Sequence, residues 1–438
     1  MTTRAPVALG LHDWPGKPPA FDPVTVEGLV LVPVPPHTDA LELIAPGAPV
    51  LCGAPLMRLR PQAAPMPIAP CAGKIEALVD ATLLNGQPCK AVRFAPAHER
   101  VAPVEAPDCG RGELEALVSE PSDLAHWMDR LSELGVGASR VASPDLLGQL
   151  AVGLRRPIDA VICSVLDVDP TLCLQSALAA VRPGDLLAGL NTLSRACGAS
   201  QALIVIDARA PQDWFTSLRE LCEFAGARVI TLVNDYPQSD PTLMLYTLRN
   251  RRLRSGRLPA EQGVLLLDAA AAVAVGAAAA RRESMVSLPL AVRHHAWEES
   301  YFVTVPLGAT APQILASLGI QYEHRTHTLR GGDALREMRI GPDAVVGESE
   351  LILHVSTGLP SMNPDPCIRC GWCFEACPTR VAPAFVLEAA QREDIGAAER
   401  AGIGACVECG ICSYVCPSRL PLLGGIRSMR RRMSPAPE

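Results

Sequence analysis

Two stretches near the C-terminus decide how this chain is read: CIRCGWCFEACP (residues 367–378) and CVECGICSYVCP (residues 406–417). Both follow the pattern C-x2-C-x2-C-x3-C-P, with cysteines at Cys367, Cys370, Cys373 and Cys377, then at Cys406, Cys409, Cys412 and Cys416. This is the spacing of paired [4Fe-4S] clusters, in which the fourth cysteine of each run ligates the cluster held mainly by the other run. The expected ligand sets are Cys367, Cys370, Cys373 and Cys416 for one cluster, and Cys406, Cys409, Cys412 and Cys377 for the second. Crossed ligation ties the runs into one unit and brings two redox centres together, a layout suited to electron relay rather than single-site catalysis.

Structural zinc is the competing metal reading, but it usually takes two C-x2-C pairs separated by a longer loop. Disulfides need an oxidising compartment, and the opening MTTRAPVALGLHDWPG lacks the apolar core of a signal peptide, so a cytosolic location is expected. Ile368, Gly371, Trp372 and Phe374 in the first run, and Gly410, Ile411, Tyr414 and Val415 in the second, are small or apolar. Such residues limit water at a cluster, and nearby backbone amides tune its potential. Tyr414 is read instead as ordinary core.

The chain has 438 residues, enough for roughly two to four domains, and its net charge of −7 excludes nucleic-acid binding by bulk charge. Its longest near-apolar stretch, Gly263 to Ala280, contains Asp268 and is mostly alanine, short of the roughly twenty strongly apolar residues of a membrane span. Arg427, Arg430, Arg431 and Arg432 form a basic patch for anionic lipid or an acidic partner, or a solvated tail, the reading that Pro435 and Pro437 favour.

Upstream, residues 1–105 alternate short apolar runs with proline and glycine turns, the pattern of a small β unit. APGAPVLCGAPL (residues 45–56) and APCAGKIEAL (residues 69–78) look like two halves of a barrel-sandwich. No lysine sits at a hairpin tip as a lipoyl carrier requires, so the unit packs rather than carries. Cys52, Cys71 and Cys89 lack metal spacing and are read as buried thiols.

Residues 120–290 alternate strand and helix, predicting an open-sheet α/β domain. Its predicted strands are Ile158 to Cys163, Ala202 to Ile206, Val229 to Val233 and Val264 to Leu267; helices are expected over Thr171 to Ala180, Gly184 to Ala196, Gln212 to Ala225 and Ala269 to Ala280. Ligands of such sheets favour the carboxyl ends of strands, which points to the turn Ser164 to Thr171. Residues 291–358, with a strand at Phe302 to Val305 and a helix from Thr310, read as a β-grasp-like unit. Residues 361–425 form the double-cluster module, with one helix expected over Ala384 to Ala401, and residues 426–438 a basic tail. The fold class is thus multidomain α/β, ending in an α-helical [4Fe-4S] ferredoxin module.

This order of units resembles the C subunit of the Rnf electron-transport complex across nearly the whole chain. CIRCGWCFEACPTRVAP (367–383) and CVECGICSYVCPSRLPL (406–422) carry the specific part; Gly10-Leu11-His12, with the segment through His37 and Gly53, is similar to the family's opening. The resemblance implies a β-grasp of the SLBB type. It also implies a peripheral subunit on the cytoplasmic face of the inner membrane, with membrane subunits of an ion-translocating complex as partners and no span of its own. Ferredoxin or another small electron carrier is a further candidate partner. In that family, and in the related flavoprotein subunit of respiratory complex I, the α/β domain binds FMN and NADH.

Three loops depart from that pattern. The family's GxGGAGFPT loop stands here as Leu134-Gly135-Val136-Gly137-Ala138-Ser139-Arg140, its N-x-x-E-x-E-P as Ser164-Val165-Leu166-Asp167-Val168-Asp169-Pro170, and its YPQGGE as Tyr236-Pro237-Gln238-Ser239-Asp240. Side chains at lost glycines crowd a phosphate, which argues against FMN and NAD(H). Asp167 and Asp169 either still face a ligand or cap the following helix, with capping favoured.

The first reading is an iron-sulfur electron-transfer subunit with no catalytic residues of its own. The alternatives are an active FMN-dependent NADH-oxidising subunit, and a non-catalytic assembly or redox-sensing protein. Arg251, Arg252, Arg254 and Arg257 form a solvated charge run or a docking patch for an acidic donor; His294 and His295, pointing to opposite sides of a strand, are read as surface histidines. Nothing near Cys163 in sequence activates its thiol.

Overall fold

The computed structural model describes residues 14–35, 42–58, 64–104, 106–117, 123–169, 171–254, 256–295, 298–333, 335–357 and 363–433. The expectations placed on Gly10, Leu11, His12, His37, Pro170, Pro435 and Pro437 lie outside the described residues.

A four-stranded parallel sheet lies at the centre, in the order Arg228–Leu232, Gln201–Asp207, Ala160–Ser164, Val264–Asp268. The two strands Ala160–Ser164 and Val264–Asp268 are buried at every residue, which is why they read as unbroken apolar runs rather than alternating ones. Arg228–Leu232, at one edge of the sheet, is half exposed, a correction to its reading as buried. Helices Pro183–Ala196 and Ala269–Arg281 pack closely on one another, and their small residues explain how. A Cβ on Gly276 would sit 1.8 Å from the Asp185 carbonyl oxygen, so the backbones touch where any side chain would force them apart.

The flanking β units are interlaced rather than self-contained. The N-terminal sheet joins Gly73–Leu83, Pro88–Pro96 and Val30–Pro33, and the segments 45–56 and 69–78 do lie side by side, with Gly53 N donating to Ala69 O and Ala69 N to Ala54 O. Yet its edge strand Ala344–Val345 comes from the second unit. In exchange, Asp22–Pro23 adds to a six-stranded sheet of Glu299–Pro306, Ser287–His294, Ile352–Thr357, His327–Gly331 and Met338–Ile340. Boundaries drawn at 105 and 291 therefore cut through shared sheets. Cys52 is exposed and Cys71 and Cys89 are partly so, not buried as expected.

The C-terminal module is helical around Val386, Ala398, Leu422, Ile426 and Met429. The single linker helix expected over 384–401 is two, Pro383–Gln391 and Ile395–Arg400, because Glu393 adopts a left-handed φ of 58° and Asp394 caps the second through Ala397 N. The expected solvated tail is corrected as well. Residues Leu422–Met433 form an amphipathic helix that buries Leu422, Leu423, Ile426 and Met429. Among the described residues, no helix is long and apolar enough to cross a membrane.

Candidate functional site

The two cysteine runs share one backbone conformation. Left-handed residues recur at matching places: Arg369 and Glu408 (φ 55° and 53°), Gly371 and Gly410 (83° and 79°), Arg380 and Arg419 (59° and 52°). Each run then enters a one-turn helix that carries its third cysteine, Trp372–Glu375 or Ile411–Tyr414.

Cys377, Cys406, Cys409 and Cys412 line one small cavity, so a cysteine from the first run completes a pocket made by the second. Cys370 and Cys416 are the thiols that act electrostatically on Cys373. Val381 N donates to Cys377 Sγ and Glu408 N to Cys406 Sγ, each at 3.3 Å, the amide–sulfur bonds that stabilise cluster thiolates. Burial pushes the Cys406 and Cys412 thiols up and the Cys409 thiol to about 12, a cost of ionisation that a bound cation offsets. The donor set therefore fits an iron-sulfur cluster. Tyr414, read as core, is 56 % exposed, as are Trp372 (55 %) and Phe374 (45 %), so these rings do not shield the cavity.

Beside this module a cleft of about 690 Å³ opens at the carboxyl ends of the central strands, where the turn after Ser164 was expected to matter. Asp167 and Asp169 both line it. Asp167 takes the capping role: it accepts from Gln175 N (2.6 Å) and Ser176 Oγ (2.7 Å) at the start of helix Leu174–Val181, and burial raises it to about 7. Asp169 accepts from Thr171 N and Thr171 Oγ1 and lies 3.4 Å from His354 Nε2. Burial pushes its carboxyl up, but His354 and the Thr171 donors outweigh that and hold it below its ordinary value.

The cleft does not fit a nucleotide phosphate at the helix end where such sheets usually hold one. The first amides of helix Ala269–Arg281 are already taken: Ala271 N by Asp268 and Ala270 N by Gln175 Oε1. Arg140 fills the adjoining space and grips Asp268 with Nε at 2.5 Å and Nη2 at 2.7 Å, both side chains buried. The two glycines kept in that loop pack rather than cradle: a Cβ on Gly135 would meet Ile68 at 2.3 Å, and one on Gly137 would meet Glu348 at 2.2 Å.

The Tyr236 loop turns to the cysteines instead. Tyr236 OH lies 2.5 Å from the Cys409 carbonyl oxygen and 3.1 Å from Asp333 Oδ1, and receives Arg336 Nε at 3.3 Å. Arg336 also pairs with Asp333 and Asp240, and Asp240 caps helix Pro241–Arg249 through Thr242 N. Arg430 donates to the Cys406 carbonyl oxygen at 2.5 Å and pairs with Glu408, which Arg427 shares; Arg432 pairs with Glu393. Sequence reasoning passed over Arg336 and Asp333, which it placed only within the β-grasp-like unit, and over Glu408, which it counted only as a spacer between cysteines.

Of the other candidates, Arg251, Arg252, Arg254 and Arg257 are exposed, with Arg251 near Asp159 (3.9 Å) and Arg257 near Glu261 (3.5 Å). Cys163 is fully buried and its thiol is driven well up by burial. His294 and His295 do face opposite ways, but His294 is 1 % exposed, not a surface residue.

Residues 149–277 match the Nuo51 FMN-binding domain family, and residues 359–419 match the 4Fe-4S dicluster domain family. The C subunit of the proton-translocating ferredoxin:NAD(+) oxidoreductase complex of Clostridium ljungdahlii is 23 % identical over 66 % of this chain and 67 % of its own length. The C subunit of the ion-translocating oxidoreductase complex of Rhodobacter capsulatus is 22 % identical, over 65 % of this chain and 54 % of its own. The C subunit of the Na(+)-translocating ferredoxin:NAD(+) oxidoreductase complex of Acetobacterium woodii is 24 % identical, over 56 % of each. The chain spans about half to two thirds of the length of these curated relatives. In fold it is similar to a chain of an NAD+-reducing [NiFe]-hydrogenase, with a TM-score of 0.50 at 13 % identity over 73 % of this chain and 62 % of that one. By its cysteine runs and these relatives, the chain is similar to the C subunits of Rnf-type ion-translocating oxidoreductase complexes.

Proposed function

We propose that this chain is an iron-sulfur electron-transfer subunit of an Rnf-type complex, relaying single electrons through two [4Fe-4S] clusters. One is assigned to Cys367, Cys370, Cys373 and Cys416, the other to Cys406, Cys409, Cys412 and Cys377. The observation that carries the reading is the convergence of Cys377 with Cys406, Cys409 and Cys412 on one cavity, the crossing that the spacing demands. Bound clusters supply the one-electron chemistry. The chain's own residues ligate, donate amides to sulfur and hold the second run against the α/β domain through Tyr236 and Arg336. Docking to membrane subunits at the cytoplasmic face belongs to the same proposal, as does ferredoxin or a similar carrier as electron partner.

The match of residues 149–277 to an FMN-binding family favours a second reading, in which flavin enters the cleft and NADH reduces it. One sample separates the two. Anaerobically purified protein is assayed for iron, acid-labile sulfide and released flavin, then titrated with NADH. About eight irons per chain, without flavin or bleaching by NADH, is the expected result. About four irons or none sinks the two-cluster assignment, and stoichiometric flavin with bleaching replaces the first reading with the second.

A further inference from the structure

Away from the cysteines, the six-stranded sheet brings together His295, Glu337 and His354, whose ligand atoms all lie within 4.8 Å of one another. His295 follows directly on strand Ser287–His294, His354 sits in the adjacent strand Ile352–Thr357, and Glu337 precedes Met338–Ile340. Register sets the meeting: His294 pairs with Val355, and His295 N donates to Val355 O at 2.9 Å, so His295 leaves the strand beside His354. The two rings stack at 28° with centroids 5.1 Å apart, and His295 Nε2 lies 3.0 Å from His354 Nδ1.

We propose that His295, Glu337 and His354 form a binding site for a divalent transition-metal ion of the zinc class, separate from the cluster cysteines. Two imidazoles and one carboxylate are a common donor set for such ions. The orientation of His354 is what a metal ligand needs. Its Nε2 lies 3.4 Å from the buried Asp169 carboxylate, which leaves Nδ1 as the ring nitrogen that faces His295. His295 is exposed, which gives an ion a way in and leaves solvent in the remaining coordination positions. Glu337 also pairs with Arg330, whose guanidinium competes with a cation for the carboxylate. Affinity is therefore expected to fall below that of a closed structural zinc site.

The site also gives Asp169 a role that helix capping leaves open: one oxygen holds the Thr171 turn and the other holds a ligand histidine.

The test is a zinc titration of the anaerobic holoprotein by calorimetry, with zinc-edge X-ray absorption on the loaded sample, repeated on His295→Ala and Glu337→Gln. The wild type is expected to take one zinc with imidazole nitrogen and oxygen around it, His295→Ala to lose that binding, and Glu337→Gln to bind at least about tenfold more weakly. Iron content equal in all three shows that the variants fold. An isotherm unchanged by His295→Ala overturns the proposal, leaving a hydrogen-bonded histidine pair. A sulfur-dominated zinc shell overturns it too, by assigning the metal to thiols.

Discussion

The two cysteine runs have the same spacing and nearly the same backbone, yet they meet different surroundings. In the first, Cys367 and Cys370 are exposed, and Ile368 stands 68 % open to solvent. In the second, Cys406, Cys409 and Cys412 are buried, Ile411 is 1 % exposed, and Tyr236, Leu335 and Val407 pack around them. A Cβ on Gly410 would lie 2.2 Å from the Leu335 carbonyl oxygen, while one on Gly371 would meet nothing within 4 Å. The same glycine conformation is thus free on one side and pressed against the rest of the protein on the other. Burial and nearby charge are two of the levers on cluster potential, so a repeat in sequence need not be a repeat in redox behaviour. The first run is open to solvent; the second faces inward, against arginines.

The largest test breaks the pairing outright. Cys377→Ser and Cys409→Ser, though in different runs, are expected to remove or convert the same cluster, each lowering iron from about eight to about four per chain. Cys370→Ser should affect the other. Low-temperature electron paramagnetic resonance of the three variants decides it: if Cys377→Ser groups with Cys370→Ser, ligation is not crossed.

Next in size is the contact that distinguishes the buried run. Tyr236→Phe removes the hydroxyl that meets the Cys409 carbonyl and Asp333, leaving buried polar atoms without it, a loss of about 1–3 kcal/mol. Thermal unfolding should report that loss, with the resonance of the second cluster altered and the first untouched. An equal change in both spectra would mean that Tyr236 acts on the whole module.

A smaller effect sharpens the comparison of potentials. Arg430 places positive charge beside Cys406 and favours its ionised form, and the same field favours an added electron. Arg430→Gln is expected to lower the midpoint of the second cluster by on the order of 60 mV, the equivalent of a tenfold change in a one-electron couple. Redox titration that shows the first cluster moving instead would reverse the assignment of the two environments.

The smallest expected effect is a pH dependence confined to the buried side. Burial raises Asp333 to about 6, against the pull of Arg336 and of the Leu335 and Arg336 amides and with a push from Asp169. A carboxyl raised on folding contributes stability that is fully present below its unfolded value near 3.9 and is lost as pH rises through about 6. The melting temperature of the wild type should therefore fall between about pH 4 and about pH 6 more steeply than that of Asp333→Asn. Parallel curves would show that the carboxyl ionises in both states alike.

Features that depend on near neighbours could be read directly from the order of residues. The cysteine pattern lies within a dozen residues in each run, and its chemistry follows from spacing and ligand type alone. The central strands were legible because burial on both faces leaves unbroken apolar runs, and helix Ala269–Arg281 because alanine and glycine mark close packing. Asp167 was readable as a cap from its place ahead of a helix. Legibility failed where a residue's neighbour is remote in the chain. Arg140 meets Asp268 across 128 positions, Tyr236 meets Cys409 across 173, and strand residue His354 meets Asp169 of a distant turn and His295 just past the end of a neighbouring strand. Nor could spacing tell which of two equal runs would be buried, or that Cys52 and Tyr414 would face solvent and His294 would not. Those outcomes rest on which surfaces the sheets and helices cover, and that is settled only when the folded units pack against one another.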